Sequence, residues 1–344
     1  METSVPKRLD EVTLMRCVLA LLIVFMHAFT CFNHSWQEPA GYVDVPLYKW
    51  LSRISFAFTL EAFVFISGYL YAYQRITLHR VEQLGTLIIN KLKRLILPSI
   101  LFSALYFAIF YQYKGSADLL YNLVNGCGHM WFLPMLFWCF IGGWLLEQIK
   151  IKDVWKIILL IVLNLSMVHT FPLRLSQACS YMFYFYVGWV TYKHSTTVKA
   201  TLTRMQIAWG WVLFLAVFAV LRPLCDSLVC TEETPKLCKF FILSSNNACQ
   251  LIYSNIGVML FYFTTSYYIQ RHQLNKHVVK FAACCLGIYL FQQFILQLLY
   301  YKTSFPIYVG PYWLPWCGFI IATIVSYCLT VSLLRTKLGR FIIG

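Results

Sequence analysis

Two ionisable side chains interrupt the first apolar run of the sequence, Arg16 and His27, eleven residues apart. An ionisable residue inside an apolar span is costly unless it is paired or hydrated, so each is a functional candidate. On an α-helix, eleven steps of about 100° bring a side chain back to within about 20° of its first direction. Arg16 and His27 therefore share a face, about 16 Å apart along the axis. A neutral imidazole can take a proton from a hydroxyl, and a guanidinium can hold a phosphate. Each residue also has a plainer reading: Arg16 snorkelling to lipid headgroups, His27 bonded to a neighbouring helix. Together they describe a site that reaches from the cytoplasmic surface into the membrane interior.

The second apolar run carries Glu61 and then Phe63-Val64-Phe65-Ile66-Ser67-Gly68-Tyr69-Leu70. Glu61 and Gly68 are two turns apart and share a face. Gly68 would let a helix or a ligand approach closely. A buried carboxyl needs a cation or a proton, and His27 is a candidate partner; solvation at the outer interface is the plainer reading of Glu61. Lys91, Lys93 and Arg94 precede Pro98 just before the third run. They suit anionic headgroups or the phosphates of a nucleotide-like donor. His129-Met130-Trp131-Phe132-Leu133-Pro134 opens the fourth run, as a polar-aromatic site or as an interfacial belt.

These side chains need apolar elements to hold them. Of 344 residues, 60% are hydrophobic and 12% charged, against roughly 45–50% and 25% in soluble domains. Soluble cores stop growing near about 250–300 residues. The composition thus excludes a soluble enzyme, a disordered chain and a collagen-like fibre, and implies an all-α, polytopic membrane protein. The apolar stretches are continuous rather than alternating, which argues against a transmembrane β-barrel. Ten runs approach the length of about 20 residues that a crossing needs: 14–34, 56–74, 95–112, 129–148, 156–171, 178–194, 205–222, 246–269, 281–301 and 312–334. Several are short or interrupted by Tyr and Gln. The chain reads as one membrane domain, residues 1–344, with polar loops near 75–94 and 223–245.

The 28 Lys+Arg against 13 Asp+Glu would suit nucleic acid, but the cations cluster between the apolar runs, as cytoplasmic loops do. With the N-terminus inside, 20 cations, Lys7 and Lys199 among them, fall in cytoplasmic segments and 8 outside. That bias predicts both termini in the cytoplasm and a multi-pass protein of the cell (inner) membrane. The first run has a basic leader but no small-x-small cleavage site, and reads as a retained helix. Thirteen Cys include no Cys-x-x-Cys pair, and no metal is expected. Cys225, Cys230 and Cys238 share the outside loop and are the disulfide candidates.

In this order, the pieces resemble the acyltransferase 3 family of integral membrane O-acyltransferases. Arg16 and His27 match its first-helix Arg and His, and Phe65-Ile66-Ser67-Gly68-Tyr69 its Phe-rich Ser-Gly motif. Lys93, Arg94 and Pro98 match its basic segment, Trp131-Phe132-Leu133 its fourth-helix motif, Tyr186-Val187-Gly188 its aromatic-Val-Gly stretch, and Leu286-Gly287-Ile288-Tyr289-Leu290 its Gly-Ile-Tyr-Leu segment. The resemblance covers about residues 8–334. One departure stands out: relatives usually carry His two residues after that Tyr-Leu pair, where this chain has Gln292. Gln can bind a substrate but cannot carry a proton as His does.

The resemblance implies transfer of an acyl group, most often acetyl, from acyl-CoA to a hydroxyl of a surface glycan or glycolipid. On that reading His27 is the base, Glu61 orients it, and Arg16, Lys93 and Arg94 bind the donor phosphates. Ser67, His129, Trp131 and Gln292 are candidate substrate contacts. Membrane lipid, the glycan acceptor and proteins of polysaccharide biosynthesis or export are the expected partners, without nucleic acid. The competing class is a transporter of a glycan, lipid or small metabolite; a scaffold of an export machine is the third. Acceptor-dependent release of free CoA separates the enzyme from the transporter.

Overall fold

The computed structural model describes residues 8–167, 171–195, 202–231 and 234–343; Lys7, Lys199 and part of the run 156–171 lie outside them. Every element among the described residues is helical. In chain order the α-helices are α1 (Asp10–Ala28), α2 (Pro46–Phe56), α3 (Thr59–Ile76), α4 (Leu84–Lys91), α5 (Leu97–Phe110), α6 (Ser116–Asn125), α7 (Phe132–Gln148), α8 (Asp153–Ser166), α9 (Leu175–Lys193), α10 (Arg204–Ser227), α11 (Lys236–Ile269), α12 (Lys276–Tyr301), α13 (Phe305–Val309), α14 (Leu314–Leu334) and α15 (Lys337–Ile343).

Within the described residues the ten apolar runs coincide largely with helices, but seven helical stretches are long and apolar enough to cross a membrane. The three that fall short carry the runs 156–171, 178–194 and 246–269. At 14 residues α8 spans about 21 Å, short of the roughly 30 Å apolar core of a bilayer. Helices α9 and α11 have the length, but their apolar runs are broken by Ser, Asn, Gln and Tyr.

Two loop expectations are corrected. The segment near 223–245 is mostly helix, because α10 runs to Ser227 and α11 begins at Lys236. The three Cys placed there are free, as are all the described cysteines. The segment near 75–94 turns helical at Leu84 and runs on to Phe110. That helix widens into a π turn at Leu92–Ile96 just before Pro98. A proline ring crowds the carbonyl four residues earlier and donates no N–H, and a local widening relieves both problems.

The chain forms two compact units. The terminal unit is Asp10–Thr59 with Gln273–Gly344; the internal unit holds Leu60–His272 and the described residues before Asp10. In the terminal unit α1, α12 and α14 pack around Val24, Phe29, Ile288 and Tyr300. The Tyr300 hydroxyl donates to the Ala28 carbonyl at 2.9 Å and so ties α12 to the end of α1. A Cβ on Gly287 would lie 2.3 Å from the Thr330 hydroxyl oxygen, so this glycine lets α12 and α14 approach.

The internal unit turns on a tighter crossing. A Cβ on Gly68 of α3 would lie 1.8 Å from the Phe185 carbonyl oxygen of α9, and one on Gly188 of α9 would lie 2.1 Å from the Phe65 carbonyl oxygen. The Ser-Gly-Tyr and Tyr-Val-Gly motifs are therefore two halves of one backbone-to-backbone contact. Further along α3, Arg75 grips Glu147 of α7 with Nε at 3.1 Å and Nη2 at 2.7 Å, and Tyr71 donates to the same carboxylate. Helices α8 and α9 are clamped by Asp153, which accepts from Tyr186 and from Lys193, each at 2.7 Å. Burial works against the Asp153 charge, but these hydrogen bonds outweigh it and hold the carboxyl below its ordinary value.

Candidate active site

In the terminal unit the shared face of α1 is visible in its partners. Both Arg16 and His27 reach α12: the Arg16 guanidinium donates to the Ala282 carbonyl at 3.3 Å, and His27 Nδ1 lies 2.9 Å from the Gln292 amide nitrogen. The His27 ring is buried, stacked 5.9 Å from Trp36 at 11°, with Phe56 edge-on at 6.3 Å. It also hydrogen-bonds the Ile23 carbonyl one turn earlier. Gln292 is fully buried, and its Oε1 has no hydrogen-bond partner. A carboxamide can present either end to an imidazole. A neutral imidazole has one N–H, which the Ile23 carbonyl takes, and one nitrogen with the lone pair of a base.

In the internal unit Glu61 lies in the first turn of α3, 1% exposed. Its Oε1 accepts from Gln250 Nε2 at 3.1 Å, and its Oε2 has no partner. It lines a cavity of about 330 Å³ with Trp131, residues of α8, α9 and α11 and the adjoining Met167. Asn164, Ser180, Tyr181, Tyr184, Asn247 and Gln250 give the wall its polar and aromatic character. The expected Glu61–His27 partnership spans the two units; within its own unit each has a carboxamide partner.

The other candidates divide. Trp131 lines the cavity, whereas His129 is buried with its ring edge-on to Tyr106 and does not line it. The Ser67 hydroxyl donates to the Phe63 carbonyl of its own helix at 2.9 Å, an arrangement that does not activate it as a nucleophile. Lys93 and Arg94 are exposed on the π turn, while Lys91 sits 3.5 Å above the Phe140 ring. Among the described residues no cluster of His, Cys, Asp and Glu could hold a metal. Sequence reasoning did not find Asn164, Asn247 or Gln250. Their signal was present as the polar interruptions of the runs 156–171 and 246–269.

Set against known families, the chain matches the acyltransferase domain of the acyltransferase 3 type over residues 9–335. No curated protein and no solved structure matches it.

Proposed function

The chain belongs to this acyltransferase family, and on that premise we propose that it moves an acyl group, acetyl foremost, from acyl-CoA to a hydroxyl of a cell-surface carbohydrate or glycolipid, with His27 as general base. The observation that carries the reading is the seat of His27. A buried imidazole held by Gln292 and stacked on Trp36 is oriented and shielded from water, which a base for hydroxyl activation requires.

In the proposed step the acceptor oxygen attacks the thioester carbonyl as its proton passes to His27. A C–O bond forms, the C–S bond breaks, and the proton then goes to the departing CoA thiolate. Ser67 is committed to its own helix, so the transfer is direct, without an acyl-enzyme on that residue. Arg16, Lys93 and Arg94 are assigned to the donor phosphates. The Ala282 carbonyl takes one N–H of the Arg16 guanidinium, which has five to offer; the other two cations are exposed. The Glu61 cavity, whose hydroxyls and carboxamides suit a polyol, is assigned to a carbohydrate ring of the acceptor other than the one that reacts. The charge bias supports ten crossings of the cell membrane with both termini in the cytoplasm.

The test uses protein in lipid nanodiscs with acetyl-CoA labelled on the acetyl group and a total glycolipid extract. Wild type should release CoA and label the extract. His27→Ala should do neither while still binding CoA, and Arg16→Ala should bind CoA more weakly. Full turnover by His27→Ala would overturn the base assignment. Absence of both transfer and CoA binding in the wild type would favour a transporter.

A further inference from the structure

The cavity in the internal unit has a polarity of its own, fixed by the way its carboxamides are tied. Gln250 donates its amide to Glu61 Oε1 at 3.1 Å. Asn164 donates to the Ser180 carbonyl at 2.8 Å, and Asn247 donates to the Asn164 carbonyl at 3.1 Å. Backbone carbonyls only accept, so the orientation of both Asn side chains is set by chemistry. Their donor ends are spent on the protein. Two acceptor oxygens of the wall are left over: Glu61 Oε2 and Asn164 Oδ1 are buried without hydrogen-bond partners, on side chains of residues 1% and 6% exposed, beside the hydroxyls of Tyr181 and Tyr184. Among the described lining residues none is Lys, Arg or His.

We propose that this cavity receives an uncharged, hydroxyl-rich ring of the acceptor and rejects a ring that carries a carboxylate, sulfate or phosphate. The assignment rests on the acyl-transfer reading and adds the charge class of the acceptor. Hydroxyl groups donate, so they satisfy orphaned acceptor oxygens. Anionic oxygens cannot donate, and here they would face a carboxyl and an amide oxygen with no cation to offset them. Trp131 and Tyr181, whose rings lie 6.2 Å apart, supply apolar wall for the C–H faces of such a ring. A volume of about 330 Å³ stands at the small end of ligand sites and fits one ring rather than a chain of them.

The experiment is saturation-transfer NMR on nanodisc protein without donor. The probes are methyl β-D-glucopyranoside and methyl β-D-glucuronopyranoside, which differ in one carboxylate. Wild type should bind the neutral glycoside and bind the uronate at least about tenfold more weakly. Glu61→Gln should weaken the neutral glycoside, and Asn247→Lys, which brings a cation to the wall, should shift the preference toward the uronate. Lys302→Ala, on an exposed position of the other unit, should bind as wild type does. Equal binding of the two probes, binding of neither, or a preference unmoved by both substitutions would overturn the proposal. Neutral binding in a wild type that labels no acceptor would instead overturn the acyl-transfer reading and leave the cavity assignment standing.

Discussion

The two units bury their polar groups in opposite ways. His27 of the terminal unit is enclosed by rings and matched to a carboxamide. Glu61 of the internal unit also has a carboxamide, but opens on a cavity with an oxygen left over. A group enclosed by side chains is held in one orientation; one that keeps an unmatched acceptor is open to water or a ligand. Two glycine contacts differ as well. Gly68 and Gly188 of the internal unit meet backbone, whereas Gly287 of the terminal unit meets the Thr330 side chain.

Substitutions can break or sharpen that comparison. The largest effect should come from Gly68→Ala or Gly188→Ala, since neither carbonyl oxygen can move out of the way. A loss of about 4 kcal/mol or more would show as little monodisperse protein in fluorescence-detected size exclusion. Gly287→Ala should lose about 1–3 kcal/mol, because it meets a side chain rather than backbone, and adding Thr330→Ala should return part of it. Equal loss from both kinds of glycine would erase the distinction.

Glu147→Ala leaves the Arg75 guanidinium, whose side chain is 12% exposed, with only the Arg80 and Glu82 carbonyls as acceptors, and should lower thermal stability by about 1–3 kcal/mol. Gln292→Leu keeps the shape but removes the partner of His27. Acyl transfer should fall about 100-fold with little change in melting temperature; an unchanged rate would detach Gln292 from the chemistry.

The smallest effect belongs to Asp153. Its folded pKa is held below the ordinary 3.8. The stabilisation is therefore complete above that value and is lost as pH falls through the lower folded value. Lys193 is half exposed, so the contribution is at most about 1 kcal/mol. Asp153→Asn should melt slightly below wild type at neutral pH, and the two should converge in strong acid. A gap that persisted there would assign the effect to packing rather than charge.

Helical periodicity made the α1 site legible: the Arg16–His27 spacing placed both on one face, and both reach α12. It also led to Glu61 and Trp131, which share the cavity. It did not lead to Asn164, Asn247 and Gln250, because hydropathy treats a polar residue in an apolar run as a weakness of the run. The helices that fail as membrane spans, α8, α9 and α11, are the ones that furnish most of the cavity wall. The polar residues that break α9 and α11 are among those that line it. The pairing of Glu61 with Gln250 crosses 189 positions, and no local period reports a contact at that range.

The seat of His27 also has a history in time. Its partner Gln292 follows 265 positions later, and chains emerge from the ribosome at about 5–20 residues per second. For an interval of tens of seconds α1 exists without α12, while the contiguous internal unit is still being made. His27 is thus among the first of the candidate residues synthesised and among the last to be seated. Until α12 arrives, the emerging chain holds His27 without Gln292.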